Sequence, residues 1–289
     1  MKANLRPVSA QARAAAEVHV FEPLRAGIPP LGPYLRELWA RRQFAYELAR
    51  ASLRAQHFNT ALGQLWLVLN PVLLGLVYFI LVYIIGRGNR GMDFLTHLML
   101  GLFAFRLVST SFAQGAGSVV GGGRLILNTA FPRSLLPLSS VLTCIGRFLP
   151  TLLVYAVLHA LAGLPVGWHL LWAVPVLLLL MIFATGAAML AATAQVYFRD
   201  FSNFLPYFTR IWLYLTPVLY YADEVPDRFK ALTIINPMFP LIATLSDVIN
   251  QGKSPSAGYM ISGLAWATAT LLVGSLLFIS REREFAVRI

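Results

Sequence analysis

The chain has 289 residues, of which 58% are hydrophobic and 12% charged. A water-soluble domain carries about 25% charged residues, so a soluble fold is excluded and most of the chain belongs in lipid. The formal net charge is +11, which in a soluble chain would point to nucleic acid; here the basic residues flank apolar runs, where they set membrane orientation, and no nucleic-acid partner is expected. The runs are long and lack strict alternation, so the fold class is an all-α integral membrane protein, not a barrel. Cys144, the single cysteine, lies inside an apolar run. It reads as a small packing residue and leaves no disulfide framework.

Residues 1–32 contain no apolar core of signal-peptide length. A flexible cytoplasmic segment is expected there. Residues 33–61 are expected to form an interfacial, connecting helix. From Pro33 to Arg54, Leu35, Leu38, Trp39, Ala45, Tyr46, Ala49 and Leu53 fall near one face, with Arg36, Arg41, Arg50 and Arg54 mostly elsewhere. A basic face opposite Trp and Tyr predicts a helix lying at the membrane surface, the alternative being a soluble helix docked on a partner.

A six-span permease domain is expected over 62–280, followed by a short cytoplasmic tail, 281–289. The spans are Leu62–Ile85, Phe94–Phe112 or slightly beyond, Leu135–Leu161, Leu170–Val196, Leu205–Tyr221 and Tyr259–Ile279. At about 1.5 Å per residue most can cross ~30 Å of hydrocarbon, while the fifth is short. Its deficit fits a helix that breaks at Pro217 and continues as re-entrant structure, which is tolerated where it is buried in protein or lines a wet cavity.

Six spans place both termini on one side. With the N-terminus inside, Arg36, Arg41, Arg42, Arg50, Arg54, Arg124, Arg133, Arg199, Arg281, Arg283 and Arg288 are cytoplasmic, against Arg87, Arg90, Arg228, Lys230 and Lys253 outside. The positive-inside rule therefore predicts that both termini are cytoplasmic. On that inner side, Val119–Ser134 carries three glycines and then Leu125, Ile126 and Leu127, a joint and a short apolar helix that needs a partner. On the outer side, Ala222–Gly258 is long and apolar, with candidate helices near Pro226–Leu232 and Met238–Asn250.

Chemistry-bearing motifs fail on inspection. Gly252-Lys253-Ser254 lacks the phosphate loop's earlier glycine, since position 247 is Asp, and Pro255 follows. Gly121-Gly122-Gly123 is not followed by Lys-Ser/Thr. His19, His57, His97, His159 and His169 show no metal spacing, and no paired acids fall within a span. No cofactor, catalytic residue or metal site is expected in this chain. Arg106, Arg147 and Arg210 lie within apolar runs; each must face a cavity, a partner or headgroups, because a lipid-facing arginine costs about 2.5 kcal/mol or more.

Aromatic rings are dense around the fifth span. Phe201, Phe204, Phe208 and Trp212 follow one helical face, and Tyr207, Tyr214 and Tyr221 recur every seven residues on another. Such rings could stack on sugars while tyrosine hydroxyls bond them; the same spacing also fits lipid-facing or core aromatics.

Four groups of residues carry a family resemblance: Leu62-Gly63-x-x-Trp66 with Asn70-Pro71; Phe131-Pro132-Arg133 with Leu136-Pro137-Leu138-Ser139; Phe198-Arg199-Asp200 with Pro206; and Leu215-Thr216-Pro217-Val218 with Tyr220, followed by Asn236-Pro237. In that order and spacing the chain resembles, from about Tyr34 to Ile279, the permease subunit of ABC transporters that export polysaccharide, O-antigen or teichoic acid. It departs from the family pattern before the first span, where Arg54-Ala55-Gln56-His57-Phe58 stands in place of a basic-Tyr pair. The resemblance implies a homodimer joined to two copies of a separate ATP-binding subunit, which would hold ATP and Mg, and a polyprenyl-linked polysaccharide as cargo in contact with membrane lipid. It implies a substrate path along Tyr207, Tyr214, Tyr221, Phe204, Phe208, Trp212, Trp66 and Arg106. Coupling to the ATP-binding subunit would use Gly121, Arg124, Leu125, Ile126, Leu127, Phe131, Arg199 and Asp200. An outer gate would use Pro217, Pro226, Asn236 and Pro237. A drug or small-lipid exporter permease of the same fold, and an intramembrane enzyme of envelope glycolipid synthesis, are the competing readings.

Overall fold

The computed structural model describes residues 27, 29–55, 62–85 and 90–289. Most of the segment expected to be flexible over 1–32, the departure at Gln56-His57-Phe58, and Arg87 lie outside the described residues. Among those residues every regular element is helical: α1 (Leu31–Ala40), α2 (Arg42–Ala55), α3 (Trp66–Ile85), α4 (Met92–Gly121), α5 (Gly123–Asn128), α6 (Leu135–Leu161), α7 (Ala173–Tyr197), α8 (Phe201–Leu215), α9 (Lys230–Ile235), α10 (Met238–Ile249), α11 (Ala257–Arg281) and α12 (Phe285–Arg288). The single amphipathic helix expected before the first span is two helices, parted at Arg41.

Five stretches are long and apolar enough to cross a membrane, those built on α3, α4, α6, α7 and α11. The fifth span expected in chain order, Leu205–Tyr221, is a correction: α8 stops at Leu215. Its 15 residues reach only about 22 Å, short of the ~30 Å of hydrocarbon. The stop is local chemistry. Pro217 has no N–H to continue the helix and drives Thr216 into extended backbone, φ −100° and ψ 143°. Beyond that stop the chain forms a sharply bent pair of helical stretches. The stretches Asp227–Ile235 and Met238–Ile249 meet at 104°, and α10 is buried over nearly its whole length.

Helix α4 is the centre of the bundle, packed on α6 and α7, while α7 is packed in turn on α11. Small residues allow the close crossings. A side chain on Gly115 would strike the backbone of Ala188, and one on Gly274 would strike that of Gly186, so α4 and α11 reach the α7 backbone from two sides. Around α4 the core gathers Leu98, Met99, Phe103, Leu180, Phe183 and Leu241.

One face of the molecule, here called the tail face, carries α1, α5 and α12. The last nine residues are not a loose extension. Phe285 is fully buried with Val119, Ile126, Leu136 and Phe278, and Glu284 pairs with Arg281 at 3.0 Å and Arg288 at 3.4 Å. Tyr34 donates to Glu282 at 2.7 Å and meets Ser134 at 2.8 Å. Burial holds the Tyr34 phenol well above its ordinary pKa, so it stays protonated as the donor. Arg133 bonds the Glu282 carbonyl. These contacts tie the first helix, the α5–α6 connection and the tail into one clasp.

Candidate translocation site

Helix α8 has two kinds of face. Phe208 and Trp212 turn inward. Trp212 stacks against Phe105, Phe112, Phe183 and Phe208 with ring centroids 5.3 to 6.2 Å apart, in edge-on and tilted geometries that aromatic pairs favour. Trp212 is therefore a core residue and not a wall of an open path, which corrects its assignment. Tyr207 and Tyr214 turn outward, 68% and 50% exposed, with Phe204 beside them at 54%. Arg210 and Tyr214 neighbour Tyr78 of α3 across this flank. Tyr221 does not continue the row. The helix has ended six residues earlier, and its ring instead packs 4.5 Å from His97 and 5.6 Å from Phe94. The seven-residue spacing held for two tyrosines and failed for the third, because a repeat has meaning only while the helix lasts.

At the end of α8, Pro217, Asn236 and Pro237, three of the four residues expected at a gate, come together. Asn236 is the keystone: its Oδ1 accepts from Trp212 Nε1 at 2.9 Å and from the Met238 N–H at 3.0 Å. Its Nδ2 donates to the Leu215 carbonyl at 2.9 Å and to Thr216 Oγ1 at 3.1 Å. Pro217 is buried behind this corner and Pro237 starts α10, whereas Pro226 is exposed. His97 adds a second tie, meeting Ser246 Oγ at 2.6 Å and the Tyr220 carbonyl at 3.1 Å. Outside it, Arg90 pairs with Glu224 at 2.7 Å and lies over the Phe94 ring. The corner thus satisfies the backbone groups that the broken helix frees, which membrane depth requires.

The residues expected to meet an ATP-binding subunit divide. Gly121, Arg124, Leu125 and Leu127 are exposed on the tail face, and Leu127 is 68% exposed. Arg199 and Asp200 are exposed in the turn before α8. Ile126 is buried and Phe131 packs on Phe44 at 5.1 Å, so these two anchor the segment and do not face outward. Phe285 and Glu282, which hold the same face from below, carry no local sequence signal; their role depends on a chain end folding back.

Trp66 and Arg106 come together in a pocket between α3, α4 and α6, with Arg147 as a third member that spacing alone could not bring in. Trp66 and Arg106 lie apart from the α8 aromatic flank.

The fold is an all-helical, multi-pass membrane bundle with a half-length helix, a sharply bent helix pair and an uncovered aromatic flank. The family model described as ABC-2 type transporter matches residues 43–250, and the chain belongs to that family. It is a transport subunit, not an enzyme. Among curated proteins it is similar to an O-antigen export system permease protein, RfbA, of Myxococcus xanthus. The two are 29% identical over 254 residues, covering 87% of this chain and 97% of that relative. A protein of the same description from Klebsiella pneumoniae is 26% identical over 242 residues, 83% of this chain and 92% of its own.

Proposed function

We propose that the chain is the membrane permease of an ATP-driven exporter that moves a lipid-linked polysaccharide out of the cytoplasm. The observation that carries this reading is the flank of α8. Phe204, Tyr207 and Tyr214 stand exposed beside Tyr78 of α3, and α3 is itself uncovered along most of its length. A bare aromatic and hydroxyl-bearing flank beside a bare apolar helix suits a path completed by a second copy of the chain. Flat rings grip sugars weakly and with little regard to identity, on the order of 1 kcal/mol per contact by analogy with other ring contacts, so a polymer can slide. The description shared by the relatives supports the same cargo.

In this reading two copies of the chain join two copies of an ATP-binding subunit, which supplies ATP and Mg. Both termini are cytoplasmic. The tail face, with Arg124, Leu125, Leu127, Arg199 and Asp200 outward, receives that subunit. Residues 33–61 form the interfacial connecting segment and 62–280 the permease domain.

The test is surface polysaccharide in a strain lacking this gene, restored with wild type or with Tyr207→Ala and Tyr214→Ala at matched membrane levels. Loss of surface glycan without the gene, slowed export by each single variant and internal accumulation with both are expected. Unchanged surface glycan in the deletion strain overturns the reading.

A further inference from the structure

A pocket of about 260 Å³ opens between α3, α4 and α6, away from the α8 flank. Among its lining side chains each helix gives a pair with hydrogen-bonding groups a turn apart: Trp66 and Asn70, Arg106 and Thr110, Arg147 and Thr151. A spacing of four residues stacks each pair on one helix face. The two arginines sit half-way along α4 and α6, while Trp66 begins α3. The pocket therefore reaches from the tail-face membrane boundary toward the middle of the bundle.

Its charge is unbalanced. Arg106 and Arg147 are near enough for the charge of one to bear on the other. Among the described residues neither has an ion-pair partner; the carboxylates that pair do so elsewhere. Arg147 faces the side-chain amide of Gln114, yet its Nε is buried without a partner. Thr110 and Thr151 spend their hydroxyl protons on helix carbonyls, each at 2.6 Å. The donors left for an occupant are therefore the guanidinium N–H groups, with the Asn70 amide and the Trp66 indole in the wall. Arg106 is exposed to the pocket and Arg147 keeps one buried donor unmet, so two adjacent cations without a counter-charge are costly at membrane depth. An anion with several oxygens answers both charges and both sets of donors, and the planar guanidinium fork matches phosphate. The volume is several times a water's share of about 30 Å³, and α3 alongside is the least covered span, so a headgroup can enter from the lipid.

We infer that this pocket binds the phosphate-bearing headgroup of a membrane lipid, clamped between Arg106 and Arg147. That the lipid is the carrier of the glycan rests on the function proposed above; that the pocket takes a lipid phosphate does not.

The experiment is native mass spectrometry of the full chain with its ATP-binding partner, titrated with undecaprenyl phosphate, phosphatidylglycerol or inorganic phosphate. Wild type should retain undecaprenyl phosphate most strongly. Arg106→Gln and Arg147→Gln should each weaken retention about tenfold, the value of one charged hydrogen bond, and Arg106→Lys by less. Removing a charge from a span does not oppose insertion, and the Lys variant keeps the charge, so folding and binding effects separate. Retention unchanged in the double Gln variant, or retention of inorganic phosphate with neither lipid, overturns the proposal. Arginine-dependent retention that favours phosphatidylglycerol keeps the site and removes the carrier from it. Surface glycan measured in parallel keeps the two readings apart. Normal export dependence with arginine-independent retention sinks the pocket alone; arginine-dependent retention with normal surface glycan in the deletion strain sinks the export reading alone.

Discussion

Helices α3 and α4 are consecutive spans that pack on each other, yet they are built on opposite logic. Asn70 is the one strongly polar side chain of α3 outside its tyrosines, and only Pro71 and Gly75 are buried; Leu73, Leu76, Val77, Ile80, Leu81 and Ile84 are exposed. Helix α4 carries Thr96, His97, Arg106, Ser109, Thr110, Ser111 and Gln114, and is the most buried span of all. The less apolar helix is the core. In water the order would be reversed. Lipid tails are as apolar as leucine, so an apolar helix gains nothing by leaving them. Polar side chains at that depth must find protein partners, and small residues let those partners come close. His97 does so with Ser246 and the Tyr220 carbonyl, and Gly115 does so against Ala188.

Five substitutions test this contrast. The largest effect belongs to Gly115→Leu, whose first added carbon would lie 2.6 Å from the Ala188 backbone. Backbone cannot yield as a side chain can, so loss of the monodisperse species in gel filtration is expected. Phe103→Ala in the core of α4 should cost about 3–5 kcal/mol, read as a lower Tm at constant detergent. A cost under half of that would mean α4 is less central than its burial indicates. His97→Leu keeps the volume roughly constant but strips two polar ties from the corner beyond α8. It should cost about 1–3 kcal/mol, with faster proteolysis between Tyr220 and Asn236. At the bottom, Val77→Ala and Ile80→Ala on α3 should each change the stability of the single chain by about 0.5 kcal/mol or less. If the pair lowers Tm as much as Phe103→Ala, protein and not lipid covers that face, and cross-linking of α3 to a second copy then shows what does.

Much of the architecture was legible in the residues. The apolar runs marked where spans lie because a helix must cross about 30 Å of hydrocarbon whatever it packs against. The boundaries of α6, Leu135–Leu161, coincide with those read from the run alone. The break at Thr216–Pro217 was legible because proline acts on its own backbone and on the residue before it, and the outer hairpin announced itself by its length and apolar content. The candidate site was legible only in outline. The aromatic residues of α8 were visible as a cluster, but which rings look outward was not.

The sequence by itself thus determined an all-helical membrane protein, the approximate place of its spans and the break at Thr216–Pro217. Each of these follows from rules that operate within a few residues or within one membrane thickness. Only the tertiary structure decided that Trp212 is inside while Tyr207 and Tyr214 are outside, and that Tyr221 belongs to the His97 corner. It alone brought Arg106 and Arg147 into one pocket and buried Phe285 under α5. In lipid every helix is apolar on most sides, so hydrophobic pattern does not tell an inward face from an outward one. That choice rests on polar ties and close backbone crossings between residues far apart in the chain, Asn236 with Trp212 and Gly186 with Gly274 among them.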